Sequence, residues 1–123
     1  MKKNVLLVDD SSTARKIVRI YLKERGYNII EAENGLDALE KMAYTDIDVV
    51  ITDLNMPMMN GMELISTLKK DVSSRDIPII IITTEKEEDE KKKSIESGAQ
   101  AYIMKPFRKN ILFQEINRVF KTT

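Results

Sequence analysis

Along the chain, two hydrophobic periods alternate five times. Short, mostly apolar runs at Val5-Leu6-Leu7-Val8, Val49-Val50-Ile51-Thr52, Ile79-Ile80-Ile81-Ile82 and Ala101-Tyr102-Ile103-Met104 read as strands, and the isoleucine run cannot tell its two faces apart, as in a strand buried on both. Between them apolar residues recur at helical spacing. Ser11 or Ser12 caps a helix running to about residue 24, with Ala14, Ile17, Val18, Tyr21 and Leu22 inward and Gly26 as its stop. Residues 28–33 form a shorter, more polar strand suited to a sheet edge. Asn34-Gly35 turns into a helix carrying Leu36, Leu39, Met42 and Ala43, and Gly61 opens one carrying Met62, Ile65 and Leu68. A fourth helix over 87–97 closes at Gly98, and a fifth, from Phe107, places Ile111, Leu112, Ile116, Val119 and Phe120 inward.

Strands alternating with helices predict a parallel sheet covered on both faces, joined by right-handed crossovers. With a polar second strand at an edge, the strand order is 2-1-3-4-5, and the topological switch point lies between the first and third strands. The carboxyl ends of the strands then share one edge. Strand one runs into Asp9-Asp10, strand three into Asp53, strand four into Thr83-Thr84, and strand five into Lys105-Pro106. Three carboxylates, two hydroxyls and a lysine converge, a set suited to a hard divalent cation beside a phosphoryl group.

Composition narrows the chemistry. With 123 residues the chain is expected to form a single domain over 1–123, and with a last helix reaching the final residues no output domain is expected. Lys+Arg and Asp+Glu balance at 20 each, so no positive field argues for nucleic acid or an anionic membrane. With no cysteine and no histidine, disulfides, thiol nucleophiles, zinc sites and imidazole acid–base chemistry are excluded. The apolar runs are far short of a membrane span, and the first is too brief for a signal-peptide core, so the cytoplasm is the expected compartment.

Packed carboxylates repel unless a cation neutralises them. Oxygen ligands favour Mg2+, with Mn2+ as a substitute, and magnesium keeps a position for a phosphate oxygen. An aspartate in such a site can attack phosphorus. Phosphoryl transfer asks mainly for positioning and charge stabilisation, which Lys105 and the Thr83 hydroxyl supply, while Pro106 fixes the backbone that aims the lysine, an arrangement open to a cis bond.

Four motifs in order, each at a strand end, carry a specific resemblance: Val8-Asp9-Asp10-Ser11, Asp53-Leu54-Asn55-Met56-Pro57-Met58-Met59-Asn60-Gly61, Ile82-Thr83-Thr84 and Lys105-Pro106-Phe107. The chain resembles the response-regulator receiver domains over essentially its whole length, in size and layout the stand-alone chemotaxis members. The resemblance implies a flavodoxin-like doubly wound (βα)5 fold and a phosphorylation-dependent switch of a two-component system, not an enzyme, although it catalyses its own phosphorylation and dephosphorylation. It implies Asp53 as phosphoacceptor, Asp10, Asp53 and the Asn55 backbone carbonyl as magnesium ligands, and Asp9 acting through water. Lys105 then binds the phosphoryl group, Thr83 and Tyr102 form the switch, and Asn55 and Glu85 tune the lifetime of the acyl phosphate. Partners implied are a sensor histidine kinase, met through Thr13, Ala14, Ile17 and the loop after Lys105, and a downstream protein, first the flagellar motor switch. A phosphorelay shuttle, passing the group to a phosphotransferase, or an adaptor to another signalling protein is the alternative; a monomer is expected. Thr84 departs from the alanine or glycine frequent in the family and is expected to narrow access to Asp53.

Other classes fit less well. An aspartate-nucleophile phosphatase needs a second aspartate where Asn55 stands, a nucleotide-binding flavodoxin-like protein needs a phosphate loop where Asp9-Asp10 repels phosphate, and an inert module lacks an acid or the lysine. The Met56, Met58, Met59 and Met62 group reads as loop and core filling. The charge run 85–93 reads as a solvated helix face with Glu87–Lys91, Glu88–Lys92 and Asp89–Lys93 pairs, weakly backed by packing and so loosely held.

Overall fold

A computed structural model describes residues 2–84 and 88–121. Strands and helices alternate as β1 (Asn4–Val8), α1 (Ser12–Glu24), β2 (Asn28–Ala32), α2 (Gly35–Met42), β3 (Val49–Thr52), α3 (Gly61–Lys70), β4 (Ile79–Thr83), α4 (Glu88–Glu96), β5 (Ala101–Met104) and α5 (Lys109–Lys121). The sheet is parallel throughout, in the order β2-β1-β3-β4-β5. Successive strands are laid down outward from β1, first to β2 on one side and then from β3 onward on the other, so the topological switch lies between β1 and β3, in line with a polar second strand at the edge. The Lys105–Pro106 bond is cis.

Two cores flank the sheet. Val18 and Leu22 of α1 and Leu112, Ile116 and Val119 of α5 pack on one face, with Val5, Leu7, Val49, Ile51, Ile80 and Ile82. Ala38 of α2 and Leu64, Ile65 and Leu68 of α3 pack on the other, with Leu6, Val8, Val50, Ile79 and Ile81. Every residue of β4 is buried, as expected of a strand with no polar face.

The helices rotate away from the predicted faces in places. Ile17 and Ile111 are 48% and 41% exposed, and Phe113 is buried in α5 while Ile111 is not. In α2 the buried positions are Gly35 and Ala38, both small, while Leu36 is exposed. The last helix begins at Lys109, two residues after the predicted start. In α4 the predicted Glu88–Lys92 and Asp89–Lys93 pairs do not close; Lys93 lies 3.8 Å from Glu90 instead, and Glu87 falls outside the described residues. No helix among the described residues is long and apolar enough to cross a membrane.

Candidate functional site

The parallel ladder places the acids side by side. The Asp9 N–H donates to the Ala32 carbonyl at 3.1 Å, and the Asp53 N–H to the Val8 carbonyl at 3.0 Å, so both residues continue their strands by one step. Asp9 is buried at 5% exposure, Asp53 is half-buried and Asp10 is exposed. One carboxylate oxygen from each of the three lies within 4.8 Å of the others.

Lys105 reaches across the end of β4 into this group. Its Nζ stands 2.9 Å from Asp9 Oδ2 and 3.3 Å from Asp53 Oδ2, while its own N–H holds the Thr83 carbonyl at 2.8 Å. Burial alone lowers the lysine pKa, but the Asp9 hydrogen bond and the charges of Asp53 and Asp9 outweigh it, and the net shift is upward. The ammonium therefore stays charged throughout the neutral range.

The two oxygens of Asp53 are held differently. Oδ1 accepts the Leu54 N–H at 2.7 Å and the Asn55 N–H at 3.3 Å, which leaves Oδ2 turned toward Lys105. Asp9 repeats the pattern: Oδ1 accepts the Ser11 N–H at 2.9 Å, and Oδ2 meets the lysine. The carboxylate cluster carries more negative charge than one ammonium neutralises, and every donor is oxygen. That chemistry fits a hard divalent cation.

Thr83 is buried at the foot of the site, and Thr84 is exposed at its mouth. Thr84 shares a groove of about 430 Å³ with Ala14, Ile17, Tyr21, Pro106 and Phe107. Tyr102 is half-buried against the α2–α3 core. Glu85 lies outside the described residues.

Three features of the site are absent from the sequence reading. Gly61 starts α3 against the acid strand: its N–H donates to the Leu54 carbonyl at 2.9 Å, and a Cβ there would stand 2.3 Å from the Asp53 carbonyl oxygen. Asn60-Gly61 signals a helix start but not this close approach. Met58, 74% exposed, has φ of 66°, a left-handed backbone that nothing in a methionine favours. Arg15 donates from Nη1 to the Asp9 carbonyl at 2.5 Å and from Nε to Glu31 Oε1 at 3.1 Å, while Arg19 Nη1 holds Glu31 Oε2 at 2.6 Å. Burial raises the Glu31 carboxyl pKa, but the bonds from Arg19 and Arg15 win, and it sits below the ordinary carboxylate value.

Residues 5–117 match the family model described as the response regulator receiver domain. The chain belongs to this family. This receiver is 42% identical over 120 residues to chemotaxis protein CheY1 of Helicobacter pylori, covering 96% of this chain and 97% of that one. It is 36% identical over 118 residues to CheY-3 of Vibrio cholerae, with 95% and 91% covered. Among solved structures, Vibrio cholerae chemotaxis protein CheY4 superposes with a TM-score of 0.90 at 34% identity, covering 97% of this receiver and 99% of that chain. Receiver domains are signalling modules, and in that setting the acid cluster is compatible with a magnesium site.

Proposed function

We propose that Asp53 is the phosphoacceptor of this receiver and that a phosphohistidine on a sensor histidine kinase is the donor. The observation that carries the reading is the two-sided hold on Asp53: backbone amides on Oδ1 and the charged Lys105 beside Oδ2. An Asp53 oxygen bonds to phosphorus, the N–P bond breaks, and its electron pair leaves with the imidazole, which takes up a solvent proton. Water later attacks the same phosphorus and releases phosphate, restoring the carboxylate. Self-catalysis of both steps belongs to this reading.

Asp10, Asp53 and the Asn55 carbonyl are assigned to hold Mg2+, with Asp9 acting through water and Mn2+ as a substitute. When bound, the cation neutralises charge on the phosphoryl oxygens. Lys105 shares that charge, and its bonds to Asp9 and Asp53 support the assignment. Thr83 and Tyr102 form the switch, drawn inward by the acyl phosphate, and Asn55 and Glu85 set its lifetime. The groove between α1 and the loop after Lys105, lined by Ala14, Ile17, Thr84 and Phe107, is assigned to the kinase. Output passes to a partner protein in the cytoplasm; the names of its chemotaxis relatives favour a motor switch over a phosphorelay shuttle.

Intact-mass measurement with Mg2+ and acetyl phosphate or phosphoramidate tests the acceptor. Wild type is expected to gain one phosphoryl mass and Asp53→Ala none. Equal labelling of both would remove Asp53 from the role.

A further inference from the structure

We infer that Arg15 is a positioning residue for the acid pair: it grips the Asp9 carbonyl so that the peptide entering Asp10 keeps the orientation a divalent cation needs. The inference rests on the magnesium assignment above. β1 and β2 part after Ala32, and the Asp9 carbonyl is taken by a guanidinium instead of a strand amide. That carbonyl belongs to the same rigid peptide as the Asp10 nitrogen, so holding one sets the direction of the other.

The guanidinium is itself held. Its side chain is only 14% exposed, its Nε is fixed by Glu31 at 3.1 Å, and the far oxygen of Glu31 is fixed by Arg19 at 2.6 Å. Glu31 is also braced along its own strand, where Lys41 Nζ donates to its carbonyl at 2.6 Å. Lysine cannot replace this fork, because a single ammonium has no planar pair of donors to span a carbonyl and a carboxylate. The anchor thus runs from the β2 edge, through α1, to the peptide between the two acids.

Position and charge predict opposite signs. Arg15 is a cation close to a cation site, so by charge alone its removal would tighten magnesium binding. As a positioning residue its loss weakens binding, by about tenfold as for other partners that orient metal ligands. Calorimetric titration of MgCl2 into wild type, Arg15→Lys, Arg15→Ala, Glu31→Gln and a Lys23→Ala control separates these, with thermal melts alongside. Weaker binding in both Arg15 variants and, by a smaller factor, in Glu31→Gln, with the control unchanged, is expected. If Arg15→Ala does not fold, Arg15→Lys decides, because it keeps the charge and loses only the fork. Wild-type affinity in folded Arg15→Lys and Glu31→Gln, even with a lowered melting temperature, overturns the inference and leaves the metal assignment standing. No magnesium uptake by wild type overturns both.

Discussion

Helix α1 leaves the acid end of β1 and α4 leaves the hydroxyl end of β4, and the two are held to the sheet by different means. α1 buries Val18 and Leu22, is capped by Ser11, and is tied to β2 through Arg15, Arg19 and Glu31 and to α5 through Glu24 and Lys109. Among the described residues of α4 only Ser94 is buried, its hydroxyl on Glu90 O at 2.8 Å and near Met62 Sδ at 3.3 Å, while Ile95 is 44% exposed. Glu88, Asp89 and Glu90 favour the N-terminus of α4 by charge, a contribution of tenths of a kcal/mol each. The switch role proposed for Thr83 would draw on this inequality, with the half that carries the acids held and the half beside Thr83 free to shift at small cost.

The largest effect that could break the comparison is core truncation. Leu22 is fully buried, so Leu22→Ala should cost about 2–5 kcal/mol in denaturant unfolding. Ile95→Ala in α4 should stay within about 0.5 kcal/mol. Comparable losses would mean that α4 is anchored by packing after all. Next comes Gly61→Ala, which sets a methyl against the Asp53 and Leu54 backbone, where no flexible side chain can yield. We expect about 1–3 kcal/mol of destabilisation from overpacking, together with slowed labelling of Asp53 by acetyl phosphate. Normal labelling with lowered stability would show that the acid strand tolerates displacement.

Hydrogen exchange sharpens the same contrast without mutation. Amides of α4 should exchange at least about tenfold faster than those in the middle of α1, and phosphorylation should change α4 more. Equal protection in both states would end the idea of a loosely held α4.

The strand ends were legible in the sequence because parallel strands buried on both faces appear as unbroken runs, and a charged residue closing a run stands out. Asp9, Asp53 and Lys105 meet as their strand positions require. The helix faces were less legible. A 3.6-residue period selects a stripe but not its centre, and of the apolar residues of α2 the large Leu36 is exposed while the small Ala38 is buried. The Arg15–Glu31 tie spans 16 residues and two elements, and no local spacing announces it. The contact of Gly61 with the Asp53 carbonyl is a tertiary fact of the same kind.

The smallest effect concerns pH and belongs to α1 alone. Glu31 has a folded-state pKa below its unfolded value of 4.5, since Arg19 and Arg15 favour its ionised form more than burial opposes it. Its contribution is therefore complete above about pH 4.5 and is lost as the pH falls through the lower folded value. Arg15 and Arg19 pair with its carboxylate and Lys41 with its carbonyl, and the carboxylates of Glu33 and Asp37 share the same groove, so it is the comparison with Glu31→Gln that isolates Glu31. Because the group is partly exposed, the change should be below about 1 kcal/mol. Unfolding measured from pH 6 to pH 3 should show a steeper acid loss in wild type than in Glu31→Gln, with the protection gap between α1 and α4 narrowing in step. Parallel profiles would mean that packing of Val18 and Leu22, without the ion pairs, sets the difference between the two helices.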